Sequence, residues 1–167
     1  MTTAIDAKVT TQVYRVFIKA TPQAIWDAIT KPEWTERYGY GGRAEYELRA
    51  GGKYRAHAPE PMRAMGAPAV VVDGEVIESD PPRRLVQTWR ALWDPALVAE
   101  GARRLTWEIE VAGPGVSALT VTHELEGAPQ TAATVAGNTD LASGGGGWPW
   151  ILSDLKTLLE SGKPLQG

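Results

Sequence analysis

The sequence predicts an α+β fold in which an antiparallel sheet curves around one long helix at the end of the chain. Three observations carry this. First, residues 144–159, GGGGWPWILSDLKTLL, place apolar side chains at Trp148, Ile151, Leu152, Leu155, Leu158 and Leu159. That is the i, i+3, i+4, i+7 spacing of a helix with one buried stripe. Second, the stretches before it alternate as half-buried strands do. In 103–111, Leu105, Trp107, Ile109 and Val111 oppose Thr106, Glu108 and Glu110; in 117–123, Leu119, Val121 and His123 oppose Thr120 and Thr122. Third, tight turns such as Ala50-Gly51-Gly52, Asp80-Pro81-Pro82 and Gly113-Pro114-Gly115 join successive strands. Antiparallel neighbours tolerate so short a connection and parallel ones do not.

Residues 13–20, VYRVFIKA, form the first strand by their β-branched and aromatic content. Thr21-Pro22 then opens a helix, Thr21 capping it and Pro22 taking the first helical position, where a missing N–H costs nothing. Ile25, Trp26 and Ile29 supply its buried face, and Lys31-Pro32 breaks it before a second short helix over 32–38. Strands are expected at 44–48, 53–57, 70–78 and 85–90, the last with Leu85, Gln87 and Trp89 on one face. Residues 59–68, PEPMRAMGAP, are expected as a loop or strand edge because three prolines interrupt them. Residues 91–102 are expected as a long connection, and 124–147 as a polar segment with one helical turn near 132–136. In the terminal helix, Pro149 falls in the first turn, Gly162 and Pro164 end it, and Ser153, Asp154, Lys156, Thr157 and Glu160 take the side away from the sheet. Trp150, about 200° around the axis from Trp148, is expected under the 128–143 loop or in a dimer contact. The glycine run before the helix reads as a hinge. It lacks the Gly-Lys-Ser/Thr ending of a phosphate loop.

The chain is 167 residues with 17 basic and 20 acidic side chains, a formal charge of −3. This is one domain over 13–161, with a loose arm at 1–12 and a tail at 162–167. Its charge balance argues against a nucleic-acid groove. No cysteine is present, which excludes thiolate metal sites and cysteine nucleophiles. No signal-like or membrane-spanning run is seen, so a cytoplasmic protein without membrane contact is expected. Seven tryptophans and five tyrosines against one phenylalanine favour a core, a pocket wall or an interface, since each pairs a large apolar face with a polar handle.

Several stretches resemble those of the START-like, or SRPBCC, superfamily, and within it the group related to the activator of Hsp90 ATPase. They are ATPQAIWDAIT at 20–30, AGGKY at 50–54, GEVIE at 74–78, PPRRLVQTW at 81–89, LTVTH at 119–123, and Gly147-Trp148 running on to Leu152 and Leu155. The resemblance implies a helix-grip fold: seven antiparallel strands gripping the C-terminal helix around an apolar cavity. It does not imply one activity. Such proteins include lipid and hormone binders, polyketide cyclases, hydrolytic or self-sacrificing resistance proteins and co-chaperones. Eukaryotic Hsp90 activators carry a further N-terminal domain that contributes to chaperone contact, for which this chain has no room.

The residues themselves mark a candidate ligand site. His123 is the leading polar group, an inward imidazole able to orient a ligand or to move a proton. Trp89, Trp107 and Tyr54 would wall the site with Val121, Trp148, Ile151, Leu152 and Leu155, and His57 would stand at its mouth. Met62 and Met65 would form a pliable lid. No cofactor and no metal are expected, the two histidines lacking any metal-ligand spacing. The function expected is binding of a small hydrophobic or aromatic molecule between sheet and helix. An acid–base enzyme of cyclase or hydrolase type with His123 as proton carrier is the alternative, and a co-chaperone-like module another. A homodimer is plausible on Trp34, Trp93 and Trp150.

Overall fold

The computed structural model describes residues 11–166. The chain begins with strand β1 (Thr11–Ile18), followed by helices α1 (Pro22–Thr30) and α2 (Pro32–Thr35). Strands β2 (Arg43–Tyr46) and β3 (Lys53–His57) precede a one-turn helix α3 (Glu60–Ala64). Then come β4 (Val70–Asp80), β5 (Arg84–Ala91), α4 (Pro95–Glu100), β6 (Arg103–Gly113) and β7 (Val116–Glu124). Helix α5 (Pro129–Ala136), a short 3-10 turn (Leu141–Ser143) and the long helix α6 (Gly147–Ser161) complete it. The loose arm expected at 1–12 falls largely outside the described residues, and Thr11 and Gln12 already belong to β1.

The strands form one seven-stranded sheet in the order β1-β7-β6-β5-β4-β3-β2, every pair antiparallel. The first strand therefore joins the last, and α1 and α2 fill the crossing between the two sheet edges. Bulges at Ala56/His57, Val76/Glu78 and Val111/Gly113 break the register. Each adds a local bend, and together they curl the sheet. Gly74 belongs to the same device: a Cβ there would lie 1.9 Å from the Thr88 carbonyl oxygen, so only glycine lets β4 approach β5 this closely.

The concave face carries Leu85, Leu105, Ile109, Leu119 and Val121, all buried, and α6 lays Trp148, Leu152, Leu155 and Leu158 against it. Thr21 caps α1 as expected, its Oγ1 accepting from the Ala24 amide at 3.1 Å. Gly162, in the left-handed conformation at φ 84°, ends α6.

Several local expectations need correction. Residues 60–64, 95–100 and 129–136 are helical, not loop, connection and single turn. The prolines there act as helix starters, as Pro22 does, because each falls in a first turn where its missing N–H has no partner to lose. The Asp94 carboxylate accepts from the Ala96 amide and caps α4. Strand β2 ends at Tyr46, two residues early.

In the glycine run that leads into α6, Gly145, Gly146 and Gly147 are closely packed, and Gly144 alone has open space around it, so most of the run expected as a hinge is held in place. At Gly147 (φ 57°) a Cβ would lie 2.3 Å from the Val135 carbonyl oxygen of α5. Asp154 is buried on the polar side of α6, its carboxylate accepting from the Gly39 amide at 2.8 Å and the Leu165 amide at 2.7 Å. Trp150 is seated against the same loop, its indole N–H donating to the Gly39 carbonyl at 3.2 Å. Among the described residues, no helix is long and apolar enough to cross a membrane.

Candidate functional site

The curl of the sheet brings Trp89 of β5, Trp107 of β6 and His123 of β7 to its concave side, and α6 delivers Trp148 among them. Trp89 stands edge-on to His123 with ring centroids 5.3 Å apart, Trp148 lies 5.9 Å from His123, and Trp107 meets Trp148 edge-on at 5.4 Å. Such edge-to-face packing sets the positive rim of one ring against the negative face of another. Trp93, just beyond β5, extends the cluster outward. Its ring is 6.4 Å from Trp89, and the residue is 45% exposed, so aromatic rings run without a break from solvent to His123.

His123 is fully buried. The Trp148 indole N–H donates to its Nδ1 at 3.1 Å, while Nε2 is buried and has no hydrogen-bond partner among the described residues. Burial pushes the imidazole pKa down to about 4, so the ring is neutral at pH 7. Among the described residues no carboxylate is bonded to it.

A second buried polar group, Gln87, lies on the same face. Its Oε1 accepts from the Tyr46 hydroxyl at 2.6 Å and the Trp107 indole at 3.1 Å, and its Nε2 donates to the Thr88 carbonyl at 3.2 Å. Tyr54 stacks on Tyr46 at 4.5 Å, and burial raises the pKa of both phenols. Sequence reasoning placed Gln87 on the inward face but gave it no part. The available signal was an amide set between Leu85 and Trp89 in an inward register.

The structure thus brings Tyr54, Trp89, Trp107, Val121, Trp148, Leu152 and Leu155 into one core cluster, with His123 packed on it through Trp89 and Trp148. Ile151 is half-buried and packs at the margin, beside Gly39. His57 stands apart. Tyr54 and Ala56 are the buried residues of β3, so His57 takes the opposite face, where its Nε2 is 3.1 Å from Glu45 Oε1. Met62 is partly buried against the core, whereas Met65 is 89% exposed.

Side chains fill the space between sheet and α6 at the tryptophan cluster. Two hollows lie elsewhere. One of about 400 Å³ is on the outer sheet face among Asp80, Arg83, Arg84 and Glu108, and one of about 190 Å³ is beside Arg37, Trp150 and Asp154. Among the described residues no cluster of His, Asp and Glu could hold a metal ion.

A curled seven-stranded antiparallel sheet closed by a long C-terminal helix places the chain in the helix-grip class of proteins. Within it, the chain belongs to the activator of Hsp90 ATPase homolog 1-like family, whose model matches residues 19–160. No curated protein sequence matches it. Among solved structures, a protein from Mesorhizobium loti is similar at 22% identity and TM-score 0.63, over 89% of this chain and 96% of that one. The Aha1 dimer from Colwellia psychrerythraea is similar at 17% identity and TM-score 0.62, over 93% and 99%. CalU16 from Micromonospora echinospora is similar at 19% identity and TM-score 0.51; there the match covers 70% of this chain and about 60% of that one. At these identities the likeness is one of fold.

Proposed function

We propose that the protein binds a small apolar or aromatic molecule between the sheet and α6, with His123 as the polar anchor. One observation carries this reading: a buried imidazole packed between the Trp89 and Trp148 indoles, with one ring nitrogen that has no partner among the described residues and with Trp107 standing behind Trp148. A buried polar group left unpaired costs about 1–3 kcal/mol, a cost that a bound polar atom would offset. Flat rings suit a flat apolar guest, and small rotations of Trp89 and Trp93 would open the way in from solvent. Opened in that way, the packed interior would become an apolar pocket around one convergent polar group, the ordinary form of a small-molecule site.

Acid–base catalysis by His123 is the weaker alternative. An imidazole with a pKa near 4 is a poor base at neutral pH, and among the described residues no carboxylate orients it. Co-chaperone activity has support from the family description only. A homodimer, the state named for the Colwellia relative, is decided by light scattering.

The test is titration of the protein with naphthalene and acetylnaphthalene, followed by intrinsic tryptophan emission and thermal melting. Saturable quenching with a rise in Tm is the expected result. Absence of both responses with both probes would overturn this reading, and stimulation of a chaperone ATPase would then favour the co-chaperone one.

A further inference from the structure

The hydrogen bond from Trp148 fixes more than the position of His123. An indole nitrogen can only donate, and a neutral imidazole carries one N–H and one lone pair. Because the Trp148 indole N–H donates to Nδ1, Nδ1 must present its lone pair. The single imidazole proton is therefore on Nε2, the atom without a partner. The opposite tautomer, or a doubly protonated ring, would set an N–H against the indole N–H. His123 thus faces the interior as a donor.

The face of a neighbouring indole is only a weak acceptor for it. Gln87, a second buried polar group on this face, has its oxygen already engaged by two donors. Arg103, two residues before Leu105, is the cation on this face of β6. Its guanidinium is turned to the backbone carbonyls of Glu100, Glu126 and Gly127, although its Nε has no partner.

We infer that His123 is the specificity-determining donor of this site, and that the molecule it selects is an aromatic compound bearing a neutral acceptor oxygen, a carbonyl above all. The inference rests on the binding reading above and deepens it. A carbonyl oxygen accepts from Nε2–H without bringing a charge into the indole-lined interior, which a carboxylate would do. A plain hydrocarbon leaves the donor unpaired. A phenol can accept, but its own proton finds no free acceptor at His123. Binding of a carbonyl also leaves the Trp148 bond intact, so recognition needs no change of tautomer.

The experiment has two arms on the full chain. Long-range nitrogen–proton NMR correlation of the imidazole ring reads the tautomer directly in the free protein. In parallel, naphthalene, acetylnaphthalene, naphthol and naphthoate are titrated and compared by tryptophan quenching. The expected result is a proton on Nε2 and acetylnaphthalene binding about tenfold tighter than naphthalene, the effect of one net hydrogen bond. His123→Phe should reduce that ratio to about one while naphthalene still binds. A proton on Nδ1, equal affinity for ketone and hydrocarbon, or tightest binding of naphthoate would overturn the inference and leave the binding reading standing. Failure of all four probes to bind would overturn both.

Discussion

Gln87 and His123 occupy one row of the sheet, two strands apart: Gln87 pairs with Leu105, and Leu105 pairs with His123. Both are fully buried, and both take an indole N–H, from Trp107 and Trp148 respectively. They differ in closure. The Gln87 oxygen holds two donors and its amide nitrogen finds a carbonyl, whereas one nitrogen of His123 has no hydrogen-bond partner among the described residues. A closed polar group in a core is a device of stability and register, because every bond it makes would be missing in a competing packing. An open one costs stability and gains nothing within the fold alone. The difference separates the part of this interior that holds the protein together from the part poised to meet something else.

The largest way to break this comparison is Gln87→Leu. The volume is nearly kept, but the Tyr46 hydroxyl and the Trp107 indole both lose their acceptor inside the core. At about 1–3 kcal/mol for each unpaired buried donor, the loss should reach roughly 3 kcal/mol or more. Urea denaturation at pH 7 would show it as a lower midpoint with an unchanged slope. A change under about 1 kcal/mol would mean that Gln87 is not the hub described here.

Acid sharpens the comparison, because only the open group titrates. His123 has its pKa depressed from the ordinary 6.5 to about 4 by burial. Between those values the unfolded chain binds a proton that the folded chain refuses. The stability tied to this group is fully present above pH 6.5 and is lost as pH falls toward 4, by roughly 3 kcal/mol in all. Gln87→Leu should show the same slope from a lower start. The Glu160 carboxyl, held low by its hydrogen bonds from Lys156 and the Lys19 amide, contributes in the same direction but further down, below its ordinary value of 4.5. The window between 6.5 and 4.5 therefore reports chiefly on His123.

Much of this was legible in the chain. Strand alternation assigns Trp107, Val121 and His123 to one face, and the period of α6 adds Trp148, Leu152 and Leu155, because half-buried strands and amphipathic helices write their burial into spacing. What closes a polar group is written nowhere in that spacing. Asp154 counts as surface by period, and is buried because the Gly39 and Leu165 amides fold over it from elsewhere in the chain. The open state of His123 is equally a product of assembly, since its bonded nitrogen depends on an indole 25 residues away. Proline misled for a different reason. At 61, 95 and 129 it marks helix starts, and the same residue type serves as a breaker one turn later.

The smallest effect is expected where intuition suggests a large one, at His123→Phe. Replacing a fully buried residue in an aromatic core ordinarily costs several kcal/mol when packing is lost. Here phenylalanine keeps a planar ring of similar size. It removes one unpaired donor, Nε2–H, and creates another, the Trp148 indole N–H, so the two desolvation terms largely cancel. Stability at pH 7 should stay within about 1 kcal/mol of the parent. The variant should also lose the acid slope between pH 6.5 and 4.5, because the group that refused the proton is gone. It should therefore become the more stable of the two proteins near pH 4, by about 2–3 kcal/mol. Parallel urea midpoints at pH 7 and pH 4 decide this. A variant destabilised by several kcal/mol at both pH values would place His123 with Gln87 among the closed groups, and the distinction between the two halves of this interior would fall.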